Sequence, residues 1–334
     1  MTRAGETVMK AVILKSYGSL DNLSIEEVLK PEPKENEVLL RVHAAAINDW
    51  DWSMMKGTPF YIRLFAGFWK PKFNLIPGVD VSGTIEETGP KVSKFHQGDA
   101  VYADLSECGF GGFAEYVCAP EDALTSKPKD MSFVEAASIP HAAGLAIQGL
   151  IEVGKVQADE EVLVNGAGGG MGTIAIQLAR HLGVKNIVGV DSGDKEETMR
   201  SAGYARTIDY TQSDFTRLPE KYDLILDAKT THRPADYSRV LKEAGRYVTV
   251  GGMTSQLIRV ALAEKYGGRF LPKKFAVLGL SANKDLQIVN NLYTKNELRP
   301  IIGAKFPFAK IADAIELFGS AKHKGKVIVT IINQ

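Results

Sequence analysis

The sequence predicts an α/β protein in two parts, a β-barrel-like domain and a doubly wound parallel sheet. Three observations carry that expectation. Residues 10–125 hold short apolar or β-branched runs cut by Gly and Pro. From about residue 130, strand-like runs alternate with helical patterns. A glycine-rich turn joins the first of those later runs to its helix.

In the first part the strand-like runs are Lys10–Lys15, Ser24–Val28, Glu37–Ala46, Val79–Thr88, Ala100–Ala103 and Phe113–Cys118. Pro31-Glu32-Pro33, Pro77-Gly78, Gly89-Pro90, Gly98-Asp99 and Gly111-Gly112 separate them as turns. One stretch, Phe60–Phe73, is aromatic and basic and shows no strand alternation. It is expected to be an inserted helix or loop packed on the barrel, with a lid over a substrate cleft as the alternative.

In the second part Glu160–Asn165, Asn186–Asp191, Thr207–Tyr210, Tyr222–Asp227, Arg246–Gly251 and Phe275–Leu280 read as strands. Met171–Leu182, Lys195–Ala202, Tyr237–Glu243 and Ser255–Tyr266 read as the helices among them. The tail adds helical stretches at Asp285–Asn296 and Phe308–Gly319 and a last strand at Val327–Ile332. That strand is expected to return to the first domain. The domains are therefore set at 1–124 with 282–334, and 125–281.

Composition narrows the partners. The 334 residues suit about two domains. Lys+Arg and Asp+Glu are both 40, which removes the electrostatic argument for nucleic acid or an anionic membrane as main partner. Two cysteines, Cys108 and Cys118, cannot build a disulfide framework or a four-cysteine zinc lobe, and they suit a reducing cytoplasm. No apolar run approaches the roughly 18 residues of a spanning helix. Residues 1–8 lack the apolar core of a signal peptide and are left out of the fold.

The chemical signal is Asn165-Gly166-Ala167-Gly168-Gly169-Gly170-Met171-Gly172, placed after a buried-type strand and opening an amphipathic helix. Glycines let the backbone turn tightly and approach a pyrophosphate, and the helix N-terminus supplies free N–H groups. So many glycines are entropically costly unless a ligand needs them. Asp191 ends the next strand, near the spacing at which an acid meets the adenosine ribose. Gly166 to Gly172 and Asp191 are therefore the candidate dinucleotide site.

Several stretches then resemble the medium-chain dehydrogenase/reductase superfamily. They are Pro77-Gly78-Val79-Asp80-Val81-Ser82-Gly83, Gly98-Asp99-Ala100-Val101, Gly111-Gly112-Phe113-Ala114-Glu115-Tyr116-Val117, Glu135-Ala136-Ala137-Ser138-Ile139-Pro140 and Gly325-Lys326-Val327. The glycine turn is similar to that of the quinone oxidoreductase branch. The resemblance implies a GroES-like β domain and a Rossmann domain, with the active site in the cleft between them. It also implies NAD(P)H as cofactor, with Ser192, Lys195, Tyr210 and Val250-Gly251-Gly252 completing its site. Zinc-dependent members place ligands where this chain has Asn48, Val79 and His141. One candidate in three cannot hold a catalytic zinc, so no zinc is expected. Asn48-Asp49-Trp50-Asp51 instead resembles the Asn-x-x-Asp motif of the zinc-lacking branch. A tyrosine that many relatives carry is replaced by Pro59, with Tyr61 two residues on.

Without a metal, the suitable acceptors are quinones and α,β-unsaturated carbonyls, whose product anions are delocalised. Asn48 is the candidate donor to that anion, Asp51 its orienting partner or a capping residue, and Tyr61 a candidate proton donor. Lys322-His323-Lys324-Gly325-Lys326 reads as a solvated turn, with Lys326 near the cleft mouth by resemblance. A non-catalytic dinucleotide-binding regulator and a metal-free alcohol dehydrogenase-like enzyme remain as alternatives. The acids Asp191 and Asp194 favour NAD(H) slightly over NADP(H), against Ser192, Lys195 and Tyr210. A homodimer is expected through the apolar edge strand Phe275–Leu280.

Overall fold

The computed structural model describes residues 7–72, 75–266 and 273–332. The chain divides into two compact units, Met1–His141 with Ala282–Asn290 and Ile302–Gln334, and Ala142–Ser281 with Asn291–Ile301. Strands and helices are numbered in chain order over the whole protein.

The first unit is β-rich. Strands β1 (Val8–Leu14) and β2 (Leu23–Leu29) pair antiparallel, with Val8 opposite Leu29. Val8, set aside with the N-terminus, is thus part of the fold, while residues 1–6 lie outside the described ones. The main sheet runs β14 (Ile302–Pro307), β15 (Lys326–Thr330), β3 (Glu37–Ala46), β4 (Asp80–Thr88), β5 (Ala100–Asp104), β7 (Thr125–Ser126), and β6 (Tyr116–Pro120) also pairs β3. The last strand does return to this unit, since β15 pairs antiparallel with β3.

Strand β3 serves two cores. Val38, Leu40 and Val42 point into the main core of the unit, and Ala45 and Ile47 join them. Ala44 and Ala46 pack instead with Ala137 and Ile328. Side chains alternate along a strand, so the switch from even to odd positions needs one irregular step. The pairing register of β3 with β4 shifts between Val42 and Ala44 and supplies it.

Helix α1 (Asp49–Lys56) follows β3 directly and stops at Gly57, whose φ is +62°. A short helix α2 (Ile62–Ala66) falls inside the aromatic stretch, and Phe73 lies outside the described residues. Helix α3 (Phe133–Ala137) starts on a capping box in which Ser132 Oγ accepts from the Glu135 N–H and Glu135 Oε2 accepts from the Ser132 N–H. It packs on β3 and β4, and β7 pairs β5. Residues 125–141, assigned from sequence to the dinucleotide-binding part, therefore belong to the first unit by contact. Helix α4 (Pro140–Ile147) then leads into the second unit.

The second unit is a six-stranded parallel sheet. Its strands are β8 (Glu161–Asn165), β9 (Asn186–Asp191), β10 (Arg206–Asp209), β11 (Tyr222–Asp227), β12 (Leu241–Thr249) and β13 (Lys274–Val277). The order β10-β9-β8-β11-β12-β13 is the doubly wound 3-2-1-4-5-6 arrangement of dinucleotide-binding sheets. Near-continuous apolar runs such as Val162–Val164 fit strands covered on both faces. The helices are α5 (Gly170–His181), α6 (Glu196–Ala202), α7 (Pro234–Val240) and α8 (Thr254–Tyr266). The third of these starts three residues before the expected Tyr237, because Pro234 suits a first helical turn where no N–H is needed. Helices α9 (Leu286–Thr294) and α10 (Ile311–Gly319) complete the tail. Among the described residues no helix is long and apolar enough to cross a membrane.

Candidate active site and dinucleotide site

In the second unit the glycine turn hangs from the neighbouring strand. The Gly166 and Ala167 N–H groups donate to Val190 O at 2.9 and 3.1 Å, and Gly166 takes φ +88°. Gly169 is the N-cap of α5 and offers no side-chain acceptor to the first turn. The N–H groups that begin the helix are thus left for an external anion, where the helix dipole also favours negative charge. A Cβ on Gly172 would meet Ala167 Cα and Gly166 O, each at 2.4 Å, so only glycine lets helix and turn pack this closely. These residues fit the pyrophosphate of a dinucleotide.

Asp191 ends β9 as expected, but its carboxylate is occupied. Oδ2 accepts from the Gly168 N–H at 3.0 Å and Oδ1 from the Ser192 N–H at 2.9 Å. The Lys195 ammonium lies 3.4 Å from Oδ1, and both side chains are almost wholly buried. Burial pulls the Lys195 pKa below its ordinary value, and Asp191 opposes that pull. The sequence argument for NAD(H) took Asp191 as a free, repelling carboxylate. Here it is paired with a cation and turned into the glycine turn, so that preference is not supported. Tyr210 is half exposed beside it, and its N–H donates to Asp191 O at 3.2 Å.

Val250, Gly251 and Gly252 follow β12 and are braced by a network that sequence reasoning missed. Asp227 Oδ1 accepts from Asn165 Nδ2, the Lys229 N–H and the Thr230 N–H, and Oδ2 accepts from Tyr247 OH. Gly251 O accepts from Thr230 Oγ1 and Thr249 Oγ1, and the Val250 N–H donates to Asp227 O. The network ties the carboxyl ends of β8, β11 and β12, the edge at which such sheets bind ligands.

In the first unit Asn48, Asp51, Asp80, Asp104, His141 and Lys326 form one buried polar cluster. Lys326 Nζ donates to Asn48 Oδ1 at 2.6 Å and to Asp80 Oδ2 at 3.1 Å. Asn48 Nδ2 donates to Asp80 Oδ2 at 2.9 Å, and Asp80 Oδ1 accepts from the His141 N–H at 3.0 Å. His141 Nδ1 lies 2.8 Å from Asp104 Oδ2, while Asp104 Oδ1 accepts from the Ser106 N–H.

Charge and burial oppose each other here. Burial raises the Asp80 pKa, and the Lys326 charge holds it partly down. Burial alone would raise Asp104, but the His141 hydrogen bond and charge bring it below the ordinary carboxylate range. Burial alone would lower His141, and Asp104 reverses that, so the pair favours its ionic form.

Asp51 sits in this cluster with a different task. Its Oδ2 accepts from the Asn48 N–H at 2.8 Å and its Oδ1 from the Gly78 N–H at 3.0 Å. Both oxygens hold backbone, pinning the start of α1 to the Gly78 turn. Burial pushes its pKa up to about 7, helped by Asp80 and resisted by the two backbone donors. Tyr61 is the N-cap of α2 and substantially exposed, so it is not part of the buried cluster. Sequence reasoning weighed His141 as packing and Lys326 as part of a solvated turn, set near the cleft mouth by resemblance alone. The usable signal was Asp80, next to the Val79 that replaces a ligand.

Comparison with known proteins agrees with this architecture. Residues 34–129 match the alcohol dehydrogenase GroES-like domain, and residues 202–329 match the family described as zinc-binding dehydrogenase. The chain is 33% identical to the chloroplastic NADPH-dependent alkenal/one oxidoreductase of Arabidopsis thaliana, over 96% of this chain and 79% of that protein. It is 28% identical to Homo sapiens quinone oxidoreductase, over 98% and 99%. The quinone oxidoreductase structure from Coxiella burnetii superposes with TM-score 0.86 at 26% identity, covering 98% of this chain and 100% of that one. This chain belongs to the medium-chain dehydrogenase/reductase superfamily, in its quinone-oxidoreductase-like branch. It is an oxidoreductase of the nicotinamide-dependent kind.

The zinc in one family description finds no fitting donor set in this member. Val79 has no donor atom, the Asn48 amide is committed to Asp80 and Lys326, and the nearest cation is the Lys326 ammonium. Among the described residues no three His, Cys, Asp or Glu side chains are arranged to hold an ion.

Proposed function

We propose that this reductase uses NADPH to reduce α,β-unsaturated carbonyls and quinones. The observation that carries the reading is the Lys326 ammonium, fixed by Asn48 and Asp80 where zinc-dependent members set metal ligands. The bound nicotinamide supplies a hydride. Lys326 holds the acceptor oxygen through a charge-assisted hydrogen bond as negative charge develops on it. Asn48 and Asp80 keep the ammonium in one position, so no reorganisation is needed when that charge appears. Asp51 fixes the turn that carries Asn48. The Gly166–Gly172 turn and the start of α5 hold the pyrophosphate.

Lys195 neutralises Asp191, so a 2′-phosphate meets no free carboxylate from that residue, and Ser192 and Tyr210 offer neutral donors beside it. The Arabidopsis thaliana relative is named for NADPH dependence, which supports the same choice. We also propose pairing of two copies along β13, an edge strand of the parallel sheet.

The test is NADPH and NADH oxidation with 2-enals, enones, 1,4-quinones and the matching saturated aldehydes. Turnover on the first three classes with NADPH preferred is expected. Dinucleotide binding without turnover on the whole panel would overturn the catalytic reading, and a preference for NADH would overturn the cofactor reading.

A further inference from the structure

The segment from Gly57 to Lys72 is apolar on both of its sides. Underneath, Ile62 and Ala66 lie in the core of the first unit and Pro71 is buried. Tyr17 OH donates to Gly67 O at 2.7 Å, and the Lys72 N–H donates to Ala66 O at 2.7 Å. Gly67 takes φ +123°, and a Cβ there would meet Lys70 O at 2.2 Å, so the turn requires glycine. The segment is thus built to hold one shape. Its outer side is nonetheless left to solvent. Phe60, Leu64, Phe68 and Trp69 are 58%, 65%, 45% and 86% exposed. Phe60, Phe68 and Trp69 form an edge-to-face row, with ring centroids 5.3 and 4.8 Å apart.

Charge says what covers this face. From Trp52 to Val79 the chain has no acidic residue, but carries Lys56, Arg63, Lys70 and Lys72 in a protein of zero net charge. Lys56 Nζ donates to Gly18 O and Arg63 Nε to Gly57 O, so these two turn inward. Lys70 and Lys72 stand exposed just after Trp69, and neither makes an ion pair among the described residues. A two-fold contact between copies through this face would set like charges against each other, which is unfavourable. Exposed aromatic rings flanked by lysines match a bilayer interface, where rings sit at headgroup level and cations meet anionic lipid.

We propose that this face docks the protein on an anionic lipid surface. The zero net charge of the chain argued against such a partner. The local distribution, with every cation of the stretch and no anion, supplies what the total conceals. The contact is peripheral, since α2 spans only five residues. It is independent of which acceptor the enzyme reduces.

The experiment is co-sedimentation of the full chain with phosphatidylcholine vesicles, with and without phosphatidylglycerol. Binding is expected to the anionic vesicles and to weaken with added salt. Lys70→Glu with Lys72→Glu, and separately Trp69→Ser, should each weaken binding at least about fivefold, with dinucleotide binding retained as the check of folding. Failure to bind anionic vesicles, or equal binding by the variants, would overturn the proposal. So would a sedimentation-velocity dimer that Trp69→Ser converts to monomer, because a second copy would then own the face.

Discussion

Replacing Lys326 by Met keeps the length and apolar stem of the side chain and deletes its charge. Asn48 Oδ1 then loses its 2.6 Å donor, and the buried Asp80 carboxylate keeps only Asn48 Nδ2 and the His141 N–H. Removing one partner of a buried ion pair costs about 3–5 kcal/mol of stability, because the other charge stays buried and unpaired. If Lys326 also holds the acceptor oxygen, loss of one such donor costs about 2.7–4 kcal/mol in the transition state, roughly a hundred- to thousandfold in kcat. The two effects separate by pH and by a second substitution. Burial already raises the Asp80 pKa, and loss of Lys326 raises it further. A carboxyl raised by folding contributes stability below its unfolded pKa and loses it as pH rises through the folded one. The variant's stability deficit should therefore be smaller in mild acid than at neutral pH. Adding Asp80→Asn to Lys326→Met should recover part of the stability and none of the turnover. The assay is thermal melting beside NADPH oxidation with a 2-enal. A folded Lys326→Met enzyme with unchanged kcat would refute the role given to the ammonium.

Other substitutions test the remaining assignments. Asp51 is raised to about 7, so its contribution to stability is full below its ordinary value of 3.8 and falls as pH rises through about 7. Asp51→Asn removes that titration and presents an N–H₂ where two N–H groups need acceptors, costing about 1–3 kcal/mol. Its melting temperature should be lower than wild type and change less between mild acid and neutral pH. Gly172→Ala places a methyl 2.4 Å from backbone atoms of Gly166 and Ala167, so calorimetry should show a destabilised protein and titration a loss of NADPH binding. Lys195→Met leaves Asp191 unpaired and should lower kcat/KM for NADPH more than for NADH; equal losses would sink the charge argument.

The alternation of apolar runs with helical patterns made the parallel sheet legible, because strands such as β8 are covered on both faces and carry little else. The glycine turn was legible for a related reason, since Gly172 has no substitute at 2.4 Å from backbone. The bulge in β3 was not readable, because an alternation that slips by one position looks like a uniformly apolar run. Asn48 and Asp51 were picked out from their resemblance to a motif, yet their tasks differ. One reaches into the cluster, and the other returns to the backbone. The contact of Lys326 with Asn48 was hidden for a topological reason, although resemblance had set the lysine near the cleft mouth. Lys326 lies 278 residues from Asn48 and meets it only because β15 pairs with β3, and a lysine between glycine and valine after a basic run reads as a solvated turn. Asp191 shows the opposite failure. Its position was right, but no spacing rule reveals that Lys195, four residues on, folds back to neutralise it.

The buried cluster also narrows the chemistry. An ammonium shared between a carboxylate and an amide carries one charge and three donors, and Asn48 and Asp80 take two of the three. What remains is one directional hydrogen bond with a partly compensated charge. That is weak assistance for a saturated aldehyde, whose alkoxide concentrates charge on one oxygen and which metal-dependent enzymes meet with a Lewis acid. It is sufficient for an enolate or a hydroquinone anion, where the charge spreads over a conjugated system before any proton arrives. The His141–Asp104 pair sets one charge of each sign beside Asp80. Asp104 raises the Asp80 pKa more than His141 lowers it, so the Lys326 charge is the main one that opposes the effect of burial on Asp80. Asn48 Oδ1 and Asp80 Oδ2 together fix the position of the Lys326 side chain. On the role proposed for Lys326, acceptor selectivity follows from the single hydrogen bond that Asn48 and Asp80 leave to its ammonium.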